Sequence, residues 1–204
     1  MEIKILKVFT DYVCPWCYLG QARLKKVIKE YKIKLDIIHF PLHPNTPEEG
    51  RDLLDLFSCS QDELNKKNYM MSRLMNEENL EYKNREFTYN SRLAQELGYW
   101  GQFKYSNDII HDEIYKSYFI NKKNIYNINI LLKAASKAKL PQEEAKEILE
   151  KRIYKDIIDK HWEYSYKIGV TGVPTYILGT SYLVGAQQEK NFHSLFEKEN
   201  IERL

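Results

Sequence analysis

Cys14 and Cys17 are separated by Pro15 and Trp16, and two thiols at that spacing exchange with disulfides, bind a metal or sit inert in the core. On the first turn of a helix, a Cys-x-x-Cys pair has its Cα atoms about 5 Å apart, a separation that a disulfide spans without distortion. Such a bond can form and open without rearranging the backbone. A first cysteine at the N-cap faces the unpaired amides and the positive end of the helix dipole. Both favour its thiolate and bring its pKa into the range of roughly 3.5–7.5. Cys14 is then the nucleophile and Cys17 the resolving thiol. Pro15 fixes the turn and removes one donor, while Trp16 is expected to shield the pair and offer an apolar platform to a substrate.

The metal alternative has its own pattern, because His39 and His43 follow the cysteines as a His-x3-His pair. Residues 18 to 38 make a spacer longer than the usual zinc finger, and Pro41 between the histidines forbids the helix that normally presents them. Redox chemistry is the better reading, with no metal and no organic cofactor. A second motif lies far along the chain, at Gly169-Val170-Thr171-Gly172-Val173-Pro174-Thr175, where a helix stop meets the start of a strand. Paired with the dithiol, Pro174 is expected to be cis, leaving the backbone of Val173 free to meet a substrate chain.

Other reactive side chains carry less. Cys59 reads as an isolated thiol, and Met70, Met71 and Met75 as core residues at helical spacing rather than a substrate groove. Asp11 is expected to serve turn chemistry, and His111, His161 and His193 have no partner at ligand spacing.

The elements that must position these residues follow from periodicity. Lys4 to Phe9 alternates as a strand, apolar or small residues at Gly20, Leu24, Val27, Ile28 and Tyr31 mark a helix, and Ile33 to Phe40 reads as a second strand closed by prolines. Everything from about Arg51 to Lys167 reads as helical, beginning with the capping pattern Ser60-Gln61-Asp62-Glu63. Further helices are expected at Ser91 to Leu97, stopped by Gly98, at Gln102 to Ile120, at Asn127 to Lys139, and from Pro141 to Gly169. After Gly169 a hairpin joins Thr175-Tyr176-Ile177-Leu178 to Tyr182-Leu183-Val184, and an amphipathic helix follows. The expected fold is α/β: a β-α-β half and a β-β-α half at residues 1–50 and 168–204, bracketing an all-helical insertion at 51–167. A parallel central pairing between the halves is expected to bring both motifs to one end of the sheet, with the insertion as a lid.

Lys and Arg total 31 against 29 acids, so no large field of one sign is available to steer a nucleic acid. No window approaches the roughly 18 apolar residues of a membrane span. The segment Met1 to Val8 alternates charged and apolar residues and lacks the apolar stretch of a secretory signal, so a cytoplasmic location is expected. Three cysteines are too few for a secreted disulfide framework.

The two motifs together resemble the DsbA-like branch of the thioredoxin superfamily, and within it the cytoplasmic FrnE-like group. The run from Asp11 to Gly20 looks like that group's active-site segment. Phe40-Pro41-Leu42 through Pro47-Glu48-Glu49-Gly50 looks like its post-strand loop, Tyr89-Asn90-Ser91 like a helix start in its insertion, and Gly169 to Thr175 like its cis-proline segment. The resemblance implies a thioredoxin-like fold, Cys14 as attacking thiol, Cys17 as resolving thiol, and Val173-Pro174 as the substrate-docking loop. It implies protein or small-thiol disulfide substrates, glutathione among them. Two other readings stay open: a glutathione-dependent transferase or isomerase of the kappa-like branch, whose members carry a serine near the first cysteine and no dithiol, and a non-catalytic adaptor or redox sensor.

Overall fold

The computed structural model describes residues 3–204. The chain divides into two units, one comprising residues up to Leu42 and from His161 onward, the other His43–Lys160. These limits stand against the expected boundaries at 50/51 and 167/168.

In the first unit, strand β1 (Lys4–Thr10) leads directly into helix α1 (Pro15–Ile28), and strand β2 (Ile33–His39) returns alongside β1. β1 and β2 are parallel, with Lys4 opposite Ile33 and Thr10 opposite His39. In the second half of this unit, strands β5 (Thr175–Leu178) and β6 (Ser181–Val184) form an antiparallel hairpin, and helix α9 (Glu189–Lys198) follows. The four strands make one sheet in the order β2-β1-β5-β6.

Strand alternation divides the core between the two faces of this sheet. Leu6 and Val8 of β1 and Tyr176 and Leu178 of β5 pack with Leu24 and Val27 of α1 and with Phe192, Leu195 and Phe196 of α9. Phe9, Ile38 and Ile177 join Phe40, Val170, Val173 and Tyr164 on the other face. Tyr164 belongs to helix α8 (Lys155–Lys167), and its ring stacks on Phe9 while its hydroxyl accepts from Lys7 at 2.8 Å.

The pairing between the halves corrects the expected topology: β1 and β5 are antiparallel, with Phe9 opposite Thr175 and Lys7 opposite Ile177. The correction follows from geometry. The dithiol comes after β1 and Pro174 precedes β5, so the exit of one strand and the start of the other share an end only when the strands run in opposite directions.

The second unit is predominantly helical. It contains α2 (Leu53–Phe57), α3 (Gln61–Glu77), α4 (Arg92–Tyr105), α5 (Ile109–Phe119), α6 (Ile128–Lys137), α7 (Gln142–Glu150) and the start of α8. Ser60 caps α3 with the full capping box: its hydroxyl accepts from the Glu63 amide, and the Glu63 carboxylate accepts from the Ser60 amide. An all-helical insertion was expected, yet β3 (Arg51–Asp52) pairs antiparallel with β4 (Phe87–Thr88). Two residues per strand are too few to leave a periodic trace.

The expected helix limits also move. α4 runs through Gly98 and Gly101 to Tyr105, because Gly101 lets Ile110 and Leu140 approach to distances that an added Cβ would meet at 2.9–3.0 Å. That packing outweighs the glycine penalty of about 1 kcal/mol. The stretch from Pro141 to Gly169 breaks into α7 and α8 around Arg152, whose backbone is left-handed. No helix among the described residues is long and apolar enough to cross a membrane.

Candidate active site

Cys14 occupies the N-cap of α1 with extended backbone, and Pro15 takes the first helical position. Its carbonyl accepts from the amides of Cys17 and Tyr18 at 3.1 and 3.2 Å, which closes the first turn around the dithiol. Both thiols are free and both residues are buried, with Cys14 3% and Cys17 1% exposed, whereas Trp16 is 37% exposed. So small a difference in exposure leaves electrostatics to distinguish the two thiols.

A hydrogen bond from the Cys17 thiol is the main cause that holds the Cys14 thiol below its ordinary pKa. Burial opposes it, the Cys17 and Trp16 amides assist, and the charge of Asp11 opposes. Burial pushes Cys17 well above its ordinary range, and the hydrogen bond and charge of Cys14 add to that push. The Thr10 hydroxyl and the Asp11 backbone pull the other way. The two shifts run in opposite directions, so the thiolate is favoured at Cys14 and the proton is held at Cys17.

Val173-Pro174 is a cis peptide, and the Val173 carbonyl oxygen lies 3.5 Å from Cys14 Sγ. The loop is held by the Gly185 amide donating to the Pro174 carbonyl at 2.7 Å and by the Thr175 hydroxyl donating to the Gly172 carbonyl at 2.7 Å. Asp11 braces the start of the site, since its carboxylate accepts from the amides of Val13 at 3.2 Å and Leu42 at 3.0 Å. Cys14, Cys17, Val173 and Pro174 therefore meet at one end of the sheet.

A matching family profile, described as a DSBA-like thioredoxin domain, covers residues 5–197. The chain belongs to this family. It is 26% identical over 200 residues to YwbO of Bacillus subtilis, covering 95% of this chain and 96% of that protein. Among solved structures it resembles a probable DsbA oxidoreductase of Streptomyces coelicolor, with a TM-score of 0.88 and 21% identity over 96% of this chain and 89% of the other. It also resembles the cytosolic disulfide reductase DsbM of Pseudomonas aeruginosa, with a TM-score of 0.68 and 12% identity over 96% and 98% of the two chains. DsbM has also been determined with GSH. The fold is the thioredoxin-like fold of DsbA proteins, which are thiol oxidoreductases.

Within that DsbA-like frame the remaining candidates find ordinary places. The ring of His161 accepts from the His39 amide at 3.2 Å, and His193 pairs with the Tyr31 hydroxyl at 2.8 Å. His111 is buried and lies 3.1 Å from Gln102, while Met71 and Met75 are buried on α3; Met70, expected in the core with them, is exposed because it falls on the solvent face of that helix. Cys59 is partly exposed. No group of three or more His, Cys, Asp or Glu side chains that could hold a metal occurs among the described residues.

Of three further residues at the site, Gly20 and Tyr176 were legible only as parts of elements, and Thr10 lay one residue beyond the strand read from the sequence. Thr10 ends β1 beside Cys17, and Gly20 lies one helical turn beyond Cys17 on the same face of α1. Tyr176 shares a strand face with Pro174. Period-three spacing from Cys17 and period-two spacing from Pro174 are the signals that point to the last two.

Proposed function

We propose that this DsbA-like protein is an enzyme that exchanges disulfides with protein or small-thiol substrates through the Cys14-Pro15-Trp16-Cys17 dithiol. The observation that carries the reading is the division of labour within the pair: a thiolate favoured at the N-cap and a proton held on the buried partner. The Cys14 thiolate attacks a substrate disulfide, forming a mixed disulfide and expelling one substrate thiolate. Cys17 then gives up its proton and attacks Cys14 Sγ, which closes the Cys14–Cys17 bond and releases the second substrate thiolate. Two electrons pass from the dithiol to the substrate, and an external thiol restores the dithiol. Glutathione suits that last role, and the likeness to DsbM, determined with GSH, supports it. The same relative's description as cytosolic supports a cytoplasmic setting.

Val173 supplies the docking contact, because its carbonyl stands beside Cys14 Sγ where the backbone of a substrate chain would pass. Pro174 contributes through the shape of that turn. Trp16, partly exposed next to the thiols, offers the apolar surface.

Insulin reduction tests the reading. Cys14→Ser is expected to abolish it, while Cys17→Ser is expected to accumulate mixed disulfides at Cys14, since attack needs the first thiol and resolution the second. Near-wild-type turnover in both variants would defeat the proposal. Turnover that survives only the loss of Cys17 would move the chain to the glutathione-dependent reading.

A further inference from the structure

Tyr176 is fully buried, yet its hydroxyl has no hydrogen-bond partner among the described residues. A buried orphan of this kind is destabilising by about 1–3 kcal/mol, and a phenylalanine would avoid the penalty. The hydroxyl lies against the bare backbone of Gly20, where an added Cβ would overlap it and would stand 3.1 Å from the Pro174 ring. Gly20 in the middle of α1 is itself a second unfavourable choice, about 1 kcal/mol worse than alanine. The two costs meet at one point, one turn along α1 from Cys17.

Resting on the exchange reading above, we propose that the Tyr176 hydroxyl stabilises the negative charge that Cys17 Sγ carries while the Cys14–Cys17 disulfide opens or closes. Gly20 is glycine so that the hydroxyl can reach this position. When an incoming thiolate attacks Cys14 Sγ, the new S–S bond forms as the old one breaks, and the electron pair of the old bond leaves on Cys17 Sγ. Cys17 takes up a proton afterwards, and the reverse reaction passes through the same charged sulfur.

In the dithiol state that sulfur is neutral and its proton faces Cys14. The phenol makes no hydrogen bond there. An interaction made with the charged form and not with the neutral one lowers the barrier without stabilising the ground state. Tyr176 keeps its proton throughout, because burial and the neighbouring Cys17 and Cys14 sulfurs hold its pKa well above the ordinary phenol range, against the charge of Arg23.

The test is Tyr176→Phe, which removes only the oxygen. Stopped-flow reduction of the oxidised protein by dithiothreitol, and reoxidation of the reduced protein by oxidised dithiothreitol, should both slow about tenfold, the scale of a hydrogen bond to a charged group. The potential against glutathione should not move, because Cys17 is uncharged in both end states. Thermal stability should hold or rise. Rates within twofold of wild type would overturn the proposal, and so would a slowing accompanied by a shifted potential, which marks a ground-state effect. Dithiothreitol opens the Cys14–Cys17 bond whatever the natural substrate is. A null result in Tyr176→Phe therefore counts against this role of Tyr176 alone, and failure of the wild-type protein to reduce insulin counts against the exchange reading.

Discussion

The thiol of Cys17 is the leading cause that lowers the Cys14 pKa, ahead of the backbone amides of Cys17 and Trp16. The dipole argument drawn from the sequence favours the thiolate on the same sulfur but leaves out this contribution of Cys17. Spacing shows that two thiols can bond, but not which of them keeps the proton; that depends on the burial of Cys17. A difference between two variants follows. Cys17→Ala removes the donor, while Cys17→Ser keeps a hydroxyl in its place. The pH of half-maximal iodoacetamide labelling at Cys14 should therefore be higher in Cys17→Ala than in Cys17→Ser, with wild type below the alanine variant. Equal midpoints in all three proteins would show that the amides alone hold the thiolate.

Among the elements, β1, α1, β2, β5, β6 and α9 were readable because each has a clean period and a breaker at its end. The direction of the β1–β5 pair was not, because alternation is the same in parallel and antiparallel strands. Inside the helical unit, Gly98 was read as a stop that tertiary packing overrides, and the break between α7 and α8 depends on a distant carboxylate. Glu96 on α4 is fully buried, accepts from Arg152 Nη2 at 2.6 Å and from both Nε positions nearby, at 3.1 Å from Arg152 and 3.3 Å from Arg92. Arg92 also binds Asp159 and the Lys155 carbonyl, so this one carboxylate helps join α4 to the turn before α8. Losing the carboxylate leaves Arg92 with its other partners and Arg152 about one-third exposed to solvent. Glu96→Ala should destabilise the protein by about 1.5–3 kcal/mol, the scale of a hydrogen bond to a charged group, read as a lowered urea midpoint. Glu96→Gln should do less harm, because its amide oxygen still accepts.

For the molecule as a whole, redox state and stability are linked. A thiol whose pKa is lowered by folding contributes stability that is fully present above the unfolded value, about 8.5, and is lost as the pH falls through the lowered native value. This stability exists only in the dithiol form. The gap between the melting temperatures of the two forms, reduced minus oxidised, should therefore narrow on acidification below about pH 8, and it should also shrink above about 8.5, where the raised pKa of Cys17 keeps a proton that the unfolded chain has lost. Calorimetry of both forms from pH 5 to pH 9 measures it, and a gap that widens toward acid would contradict the assignment of Cys14 as the stabilised thiolate. The family and the fold were legible from two short motifs because both lie in the continuous parts of the sheet unit. The sequence limits of the insertion were less so, since the last turns of α8 pack on Phe9 and Lys7 and belong with the sheet.

The antiparallel β1–β5 pair also orders events during synthesis. A ribosome delivers β1, α1 and β2 first, then the whole helical unit, and only then the hairpin that covers the second edge of β1. Until about residue 178 has emerged, β1 presents an open row of backbone donors and acceptors next to two free thiols. Such an edge invites pairing with other chains, and a contact spanning so much sequence forms slowly. Nascent chains arrested before Thr175 should therefore crosslink to one another through Cys14 more readily than the finished protein does.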